Sequence, residues 1–293
     1  MPGIRPFFYR ILVKHIIPLY RRKNRETGEI GGTFNAPRPP KRLTNKYIVS
    51  EVDVNRRKLF TVSPRHSAHK HHVFYLHGGG YIAGISAAHW YFVDQLIKKL
   101  KCTVSMYDYP LAPKQQARET LHDTLAAYNT LFADGGARIT VMGDSAGAGM
   151  SLAIVQMLRD AGLRLPERVI GLSPWMDLTM CNEEIEAIAA KDFFLDEKYL
   201  IQAGKAYAGN EALNNPLLSP VHADFRGLPP IHFFMGTGDI LMPDTRQAVR
   251  NAAKQGVEID YREYDDMFHV WMLFPIPEAK KVLREIKQIV LRK

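Results

Sequence analysis

Ile139-Thr140-Val141-Met142-Gly143-Asp144-Ser145-Ala146-Gly147 is the stretch on which the reading of this chain turns. Four strand-forming residues run into a Gly-x-Ser-x-Gly turn, and from Ala146 to Ala161 the apolar residues fall at helical spacing. Glycine flanks the serine because a strand that reverses so sharply into a helix leaves no room for side chains there. The turn lifts the Ser145 hydroxyl clear of a sheet and sets it at a helix N-terminus. Free N–H groups and the helix dipole favour developing negative charge at that place. Ser145 is thus the candidate nucleophile, and the N–H of Ala146 a candidate donor to an oxyanion.

Working outward, strand and helix alternate. Lys46 to Val54 and Lys58 to Val62 read as strands joined by the polar turn Asn55-Arg56-Arg57, followed by His72 to Leu76, Cys102 to Tyr107, Val169 to Leu172, Ile231 to Met235 and Glu258 to Tyr264. Helical periodicity marks His89 to Leu100, Glu119 to Phe132, Pro243 to Gln255 and Glu278 to Leu291. Such alternation predicts an α/β fold with a mostly parallel central sheet and helices on both faces. The segment from Cys181 to Asn215 breaks the rhythm with helical stretches and no strand, and is expected to be a cap insertion (181–215) within a catalytic domain spanning 46–293. Residues 1–45 are expected to supply a further helical cap segment and a connector. In that segment Ile4, Phe7, Phe8, Ile11, Leu12 and Ile16 share one face of an amphipathic helix from Ile4 to Leu19, and Gly28 to Pro40 is the connector.

Three further stretches carry chemistry. His77-Gly78-Gly79-Gly80 follows a predicted strand, and its glycines let backbone N–H groups approach a tetrahedral oxyanion; Gly78 and Gly79 are the expected donors beside Ala146. His77 reads as a residue that fixes this loop. Asp239, in Gly236-Thr237-Gly238-Asp239, lies at the carboxyl end of a predicted strand, where α/β sheets place their sites. Asp244 reads as a helix N-terminal residue after Pro243, and Asp265 and Asp266 as loop formers; all three are rivals for the acid role. His269, after the last strand, is the candidate general base. The order Ser145, Asp239, His269 differs from the chymotrypsin and subtilisin orders.

With these motifs the chain resembles the hormone-sensitive-lipase family of α/β-hydrolase carboxylesterases, of the bacterial esterase or acetyl esterase type. Asp108-Tyr109-Pro110-Leu111-Ala112-Pro113, Ser173-Pro174-Trp175-Met176-Asp177-Leu178 and Leu228-Pro229-Pro230 extend the match over roughly residues 70 to 290. It departs at Pro110 and Lys114, where relatives often carry arginine and glutamate. The resemblance implies an α/β-hydrolase fold with a helical cap, Asp239 as the acid, His269 as the base, and a preference for small short-acyl esters. A homodimer is the assembly it suggests. Tyr81, Trp175, Trp271, Phe193 and Phe194 are candidates for an apolar substrate pocket, with plain core the alternative for each. A sugar or xenobiotic deacetylase, a thioesterase or an amidase would use the same groups. A non-catalytic binding homologue would lack the catalytic histidine, which this chain has.

Composition narrows the alternatives. Apolar residues make up 46% of the 293 residues and charged residues 24%, the balance of a globular protein with one sizeable core. The net charge of +9 comes from scattered basic residues without a nucleic-acid-binding motif, so nucleic acid is not an expected partner. Two cysteines cannot build a disulfide framework, and Arg5, Arg10 and Lys14 interrupt the apolar N-terminus. A cytoplasmic protein without stable membrane insertion is expected. His66, His69, His71 and His72 have no carboxylate or cysteine among them and read as a solvated connector. No nucleotide-binding pattern is present, so neither a metal nor an organic cofactor is expected.

Overall fold

The computed structural model describes residues 35–66, 70–131 and 138–292. The helix expected from Ile4 to Leu19 and most of the connector lie outside the described residues. A short helix, α1 (Lys41–Thr44), leads into the antiparallel hairpin β1 (Ile48–Val54) and β2 (Arg57–Ser63). Then come β3 (His71–Leu76), α2 (Ala87–Leu100), β4 (Thr103–Tyr107), α3 (Ala117–Thr130), β5 (Arg138–Asp144), α4 (Ala146–Asp160) and β6 (Arg168–Leu172). Between β6 and β7 the 181–215 segment carries α5 (Glu184–Ala189) and α6 (Glu197–Ala208), and then come β7 (Ile231–Gly236), α7 (Met242–Lys254), β8 (Ile259–Tyr264) and α8 (Pro277–Leu291).

The strands form one sheet in the order β1-β2-β4-β3-β5-β6-β7-β8, parallel from β4 to β8 and antiparallel where β2 joins β1 and β4. This is the expected mostly parallel sheet. Alternation along each strand splits the core in two, because successive side chains leave a strand on opposite faces. Phe74, Val141 and Phe233 pack on the side of α3, α4 and α7, where Leu121, Leu152 and Ala248 meet them. Tyr75, Met142 and Phe234 pack on the other side with Leu96 of α2 and Ile286 of α8. In α8 the residues Val282, Ile286, Ile289 and Val290 return every three or four positions, which keeps one stripe against the sheet.

Several boundaries differ from the sequence reading by two residues, β1 starting at Ile48 rather than Lys46 among them. Helix α2 begins at Ala87 rather than His89, because Ser86 caps it and His89 reaches back: the Ser86 N–H donates to His89 Nδ1 at 2.9 Å. Helix α3 begins at Ala117 rather than Glu119. The site is placed by β3, β5, β6, β7 and β8, whose parallel carboxyl ends present five loops on one edge of the sheet.

Ile286 is fully buried under the sheet. Replacing Ile286 with Ala should remove about 2–5 kcal/mol of stability, read as a lowered urea midpoint in far-UV circular dichroism with an unchanged folded baseline. An unchanged midpoint would show that α8 does not share the sheet's cooperative core.

Candidate active site

The turn between β5 and α4 is as tight as the sequence requires. Ser145 sits at φ 50°, ψ −120°, a conformation that stores on the order of 1–3 kcal/mol of strain in a residue with a side chain. Surrounding hydrogen bonds hold it there: the Ser145 N–H donates to Leu172 O at 2.9 Å, and its carbonyl accepts the N–H groups of Ala148, Gly149 and Trp175 at 3.1, 3.2 and 3.1 Å. A Cβ on Gly147 would run into the carbonyl of Leu76, so glycine there lets β3 and the start of α4 approach.

His269 and Asp239 come from neighbouring loops that are stitched together. The Gly238 N–H donates to Met267 O at 3.0 Å, and the Asp266 N–H to Thr237 Oγ1 at 2.9 Å. Asp239 Oδ2 lies 2.8 Å from His269 Nδ1 with both side chains buried. An ionised carboxylate only accepts, so Nδ1 carries the proton and Nε2 is the basic nitrogen. Asp239 Oδ1 accepts the Leu241 N–H at 3.0 Å. Burial alone would lower the His269 pKa; the charge and hydrogen bond of Asp239, with the charges of Asp192 and Asp144, outweigh it and raise the pKa above the usual histidine value. The rival carboxylates lie elsewhere. Asp265 and Asp266 are exposed, and Asp244 bonds Asn182 at 2.9 Å, its carboxyl pushed up to about 7 chiefly by burial.

The glycine loop differs from expectation at one donor. The Gly78 N–H is not free for an oxyanion: it donates to Asp144 Oδ1 at 3.0 Å. Asp144, the variable residue before Ser145, also accepts the Tyr75 hydroxyl at 2.7 Å and lies 3.4 Å from His89 Nε2. Burial favours its neutral form, yet His89 and these hydrogen bonds keep its carboxyl below the usual range. A Cβ on Gly78 would collide with Asp144 Oδ2. Among the described residues, no acceptor takes the N–H of Gly79, Gly80 or Ala146. His77 fixes the loop, as expected: its ring stacks on Tyr109 at 4.0 Å, and Nδ1 lies 2.8 Å from Gly78 O. Burial, then the nearby His89, push its pKa down to about 3, so it is neutral.

The expected aromatic pocket is only partly present. Trp271 packs against Tyr264 at 5.2 Å within the α8 side of the core, because it follows the histidine loop back beneath the sheet edge. Tyr81 and Trp175 are also fully buried, the Tyr81 ring stacking on both Trp175 and Tyr207 of α6, so they support the glycine loop and offer a ligand no surface. Phe193 and Phe194 remain partly exposed, and the Phe194 ring lies 5.5 Å from that of His269. Sequence reasoning missed Asp144, because its position in the motif is variable, and Asp192, which lies in an insertion without a motif. It also missed Ser173, whose Oγ accepts the Val270 N–H at 3.1 Å beside His269. Among the described residues, no group of three or more histidine, cysteine or carboxylate side chains could hold a metal ion. His72, from the histidine-rich stretch, instead bonds Ser105 Oγ at 2.8 Å on the sheet.

Residues 73–273 match the family model described as alpha/beta hydrolase fold. The chain belongs to the α/β-hydrolase family. An acetyl-hydrolase of Streptomyces hygroscopicus is 33% identical over 215 residues, 72% of each chain, and an esterase of Acinetobacter venetianus is 28% identical over 221 residues, 74% of this chain and 73% of its own. The crystal structure of an esterase from the bacterial hormone-sensitive lipase family superposes with a TM-score of 0.79 at 32% identity, covering 84% of both chains. This α/β-hydrolase is a carboxylic ester hydrolase.

Gly78→Ala should displace the Asp144 carboxylate and with it the whole donor loop. Esterase kcat/KM should fall by about 10² or more while circular dichroism stays native. Activity within a few-fold of wild type would mean that the Asp144 contact does not order the loop.

Proposed function

We propose that the protein hydrolyses short-acyl carboxylic esters through a Ser145–His269–Asp239 triad and an acyl-enzyme intermediate. The observation that carries this reading is a strained serine at a helix N-terminus on the same sheet edge as a buried imidazole whose Nδ1 is held by a carboxylate. His269 Nε2 takes the hydroxyl proton as Ser145 Oγ bonds to the ester carbonyl carbon. The resulting oxyanion lies against the N–H groups of Gly79 and Ala146, with Gly80 in the place first expected of Gly78. The C–O bond then breaks and the alcohol leaves with the proton from His269. A water gives its proton to the same nitrogen, attacks the acyl carbon, and releases the carboxylic acid while Ser145 recovers its proton. Asp239 holds the tautomer and stabilises the imidazolium throughout.

The 181–215 insertion is proposed as a cap. Phe193 and Phe194 beside His269 would wall a small acyl site, which favours acetyl and similarly short esters over long chains. The name of the Streptomyces relative supports the same class, and acetylated sugars or xenobiotics are the second reading on that ground. No described helix is long and apolar enough to cross a membrane. A cytoplasmic location remains part of the proposal, as does a homodimeric assembly.

Hydrolysis of p-nitrophenyl acetate, butyrate and a long-chain ester tests both parts. Ser145→Ala should lower kcat by several orders of magnitude, about 10⁴ to 10⁶, and acetate or butyrate should be turned over faster than the long chain. A mutant as active as wild type removes the nucleophile assignment. Equal or better turnover of the long chain removes the short-acyl preference.

A further inference from the structure

Asp192 lies just past α5, in the insertion, and has no part in the mechanism above. The residue is 8% exposed and its carboxylate accepts three backbone N–H groups: Oδ1 takes those of Phe194 and Leu195 at 2.7 and 2.9 Å, and Oδ2 takes that of Ile240 at 3.0 Å. The first two close a local turn. The third crosses to the loop that carries Asp239, where the next N–H, that of Leu241, serves Asp239 itself. Successive N–H groups entering α7 therefore hold two buried carboxylates side by side. Burial, together with the charge of Asp239, raises the Asp192 carboxyl above the usual range, so this placement is costly. Turn formation alone does not require it. An asparagine oxygen would accept Phe194 and Leu195 equally well, but its amide group would then face the Ile240 N–H, donor against donor. What only a carboxylate provides is a second acceptor and a negative charge.

We propose that Asp192 is a positioning residue for ester hydrolysis, which fixes the Asp239 loop and the Phe194 ring beside His269 and supplies charge that favours the imidazolium formed during the reaction. The proposal rests on the reading of Ser145, His269 and Asp239 as the reacting groups. The charged groups acting on His269 come from three elements: Asp239 after β7, Asp192 in the insertion and Asp144 at the end of β5. Burial works against them. With Asp192 neutralised, the imidazole holds its proton less tightly, so the base stays competent to lower pH. The imidazolium of the transition state is stabilised less, so the plateau rate falls.

The test is the pH dependence of kcat/KM and kcat for a short-chain p-nitrophenyl ester with wild type, Asp192→Asn, Asp192→Ser and Ser145→Ala. Competent sites are counted by stoichiometric labelling with a phosphonate ester, so partial misfolding does not enter kcat. Asp192→Asn and Asp192→Ser should both move the acid limb to lower pH and lower the plateau kcat about tenfold, with KM nearly unchanged. An unmoved limb with kcat within about twofold of wild type overturns the proposal. So does the absence of labelled sites in both variants, which would make Asp192 a bond of the fold alone. Inactive wild type, or Ser145→Ala as active as wild type, would instead overturn the triad reading and the proposal with it.

Discussion

The close approach of α4 to β3 is the constraint on which the rest of the site depends. Because Gly147 has no side chain, the first turn of α4 rests on the carbonyl of Leu76, the last residue of β3, and the glycine loop begins at the next residue. The glycine loop and Ser145 are thus neighbours through a backbone contact, not through a side chain that could rotate away. The strain at Ser145 is held from the other side. Its N–H is bonded to Leu172 at the end of β6, and its carbonyl to the N–H of Trp175 beyond that strand. Relaxing the serine would require opening the sheet between β5 and β6, so the fold's cooperativity maintains the strained conformer.

Electrostatics follow the same logic of fixed donors. Asp144, Asp192 and Asp239 are all buried within reach of one imidazole, an arrangement that would be prohibitive if their oxygens faced hydrocarbon. Each is met by donors instead. Asp144 has the Tyr75 hydroxyl and the Gly78 N–H, Asp239 has the Leu241 N–H and His269, and Asp192 has three backbone N–H groups. Most of these are peptide groups near helix N-termini, which do not reorganise as charge moves during a reaction. The negative field at the imidazole is therefore part of the folded backbone.

The fold was legible in the chain because short apolar strand runs alternate with stretches of helical periodicity, and the glycines at 143 and 147 mark where backbones touch. The placement of Ser145, Asp239 and His269 on one edge was legible because each follows a strand of the parallel sheet. What could not be read depended on contacts between segments distant in sequence. Gly78 looked like an oxyanion donor until Asp144, 66 positions later, was found to accept its N–H. Trp271 looked like a pocket aromatic because it neighbours His269, yet the chain turns at Val270, φ 49°, and carries the ring into the core under α8. The start of α2 was missed because histidine is an unusual partner in a capping box.

The 181–215 segment, expected as a cap, contacts both the glycine loop and the loop of Asp239. Through Tyr207 it lays a ring 3.7 Å from that of Tyr81, the residue that ends the glycine loop, and through Asp192 it holds the loop of the acid. These contacts come from α6 and from the turn after α5, so they cannot both be kept if the two parts of the insertion shift relative to each other. A segment that merely admitted substrate could vary its packing freely. One that stacks on Tyr81 and bonds the loop of Asp239 transmits any displacement to both. Substitutions at Phe193 and Phe194 act two and one residues from the Leu195 N–H that Asp192 also binds. Changing the packing of Phe193 and Phe194 and changing how the loop of Asp239 is held are, in this fold, alterations of the same short stretch of chain.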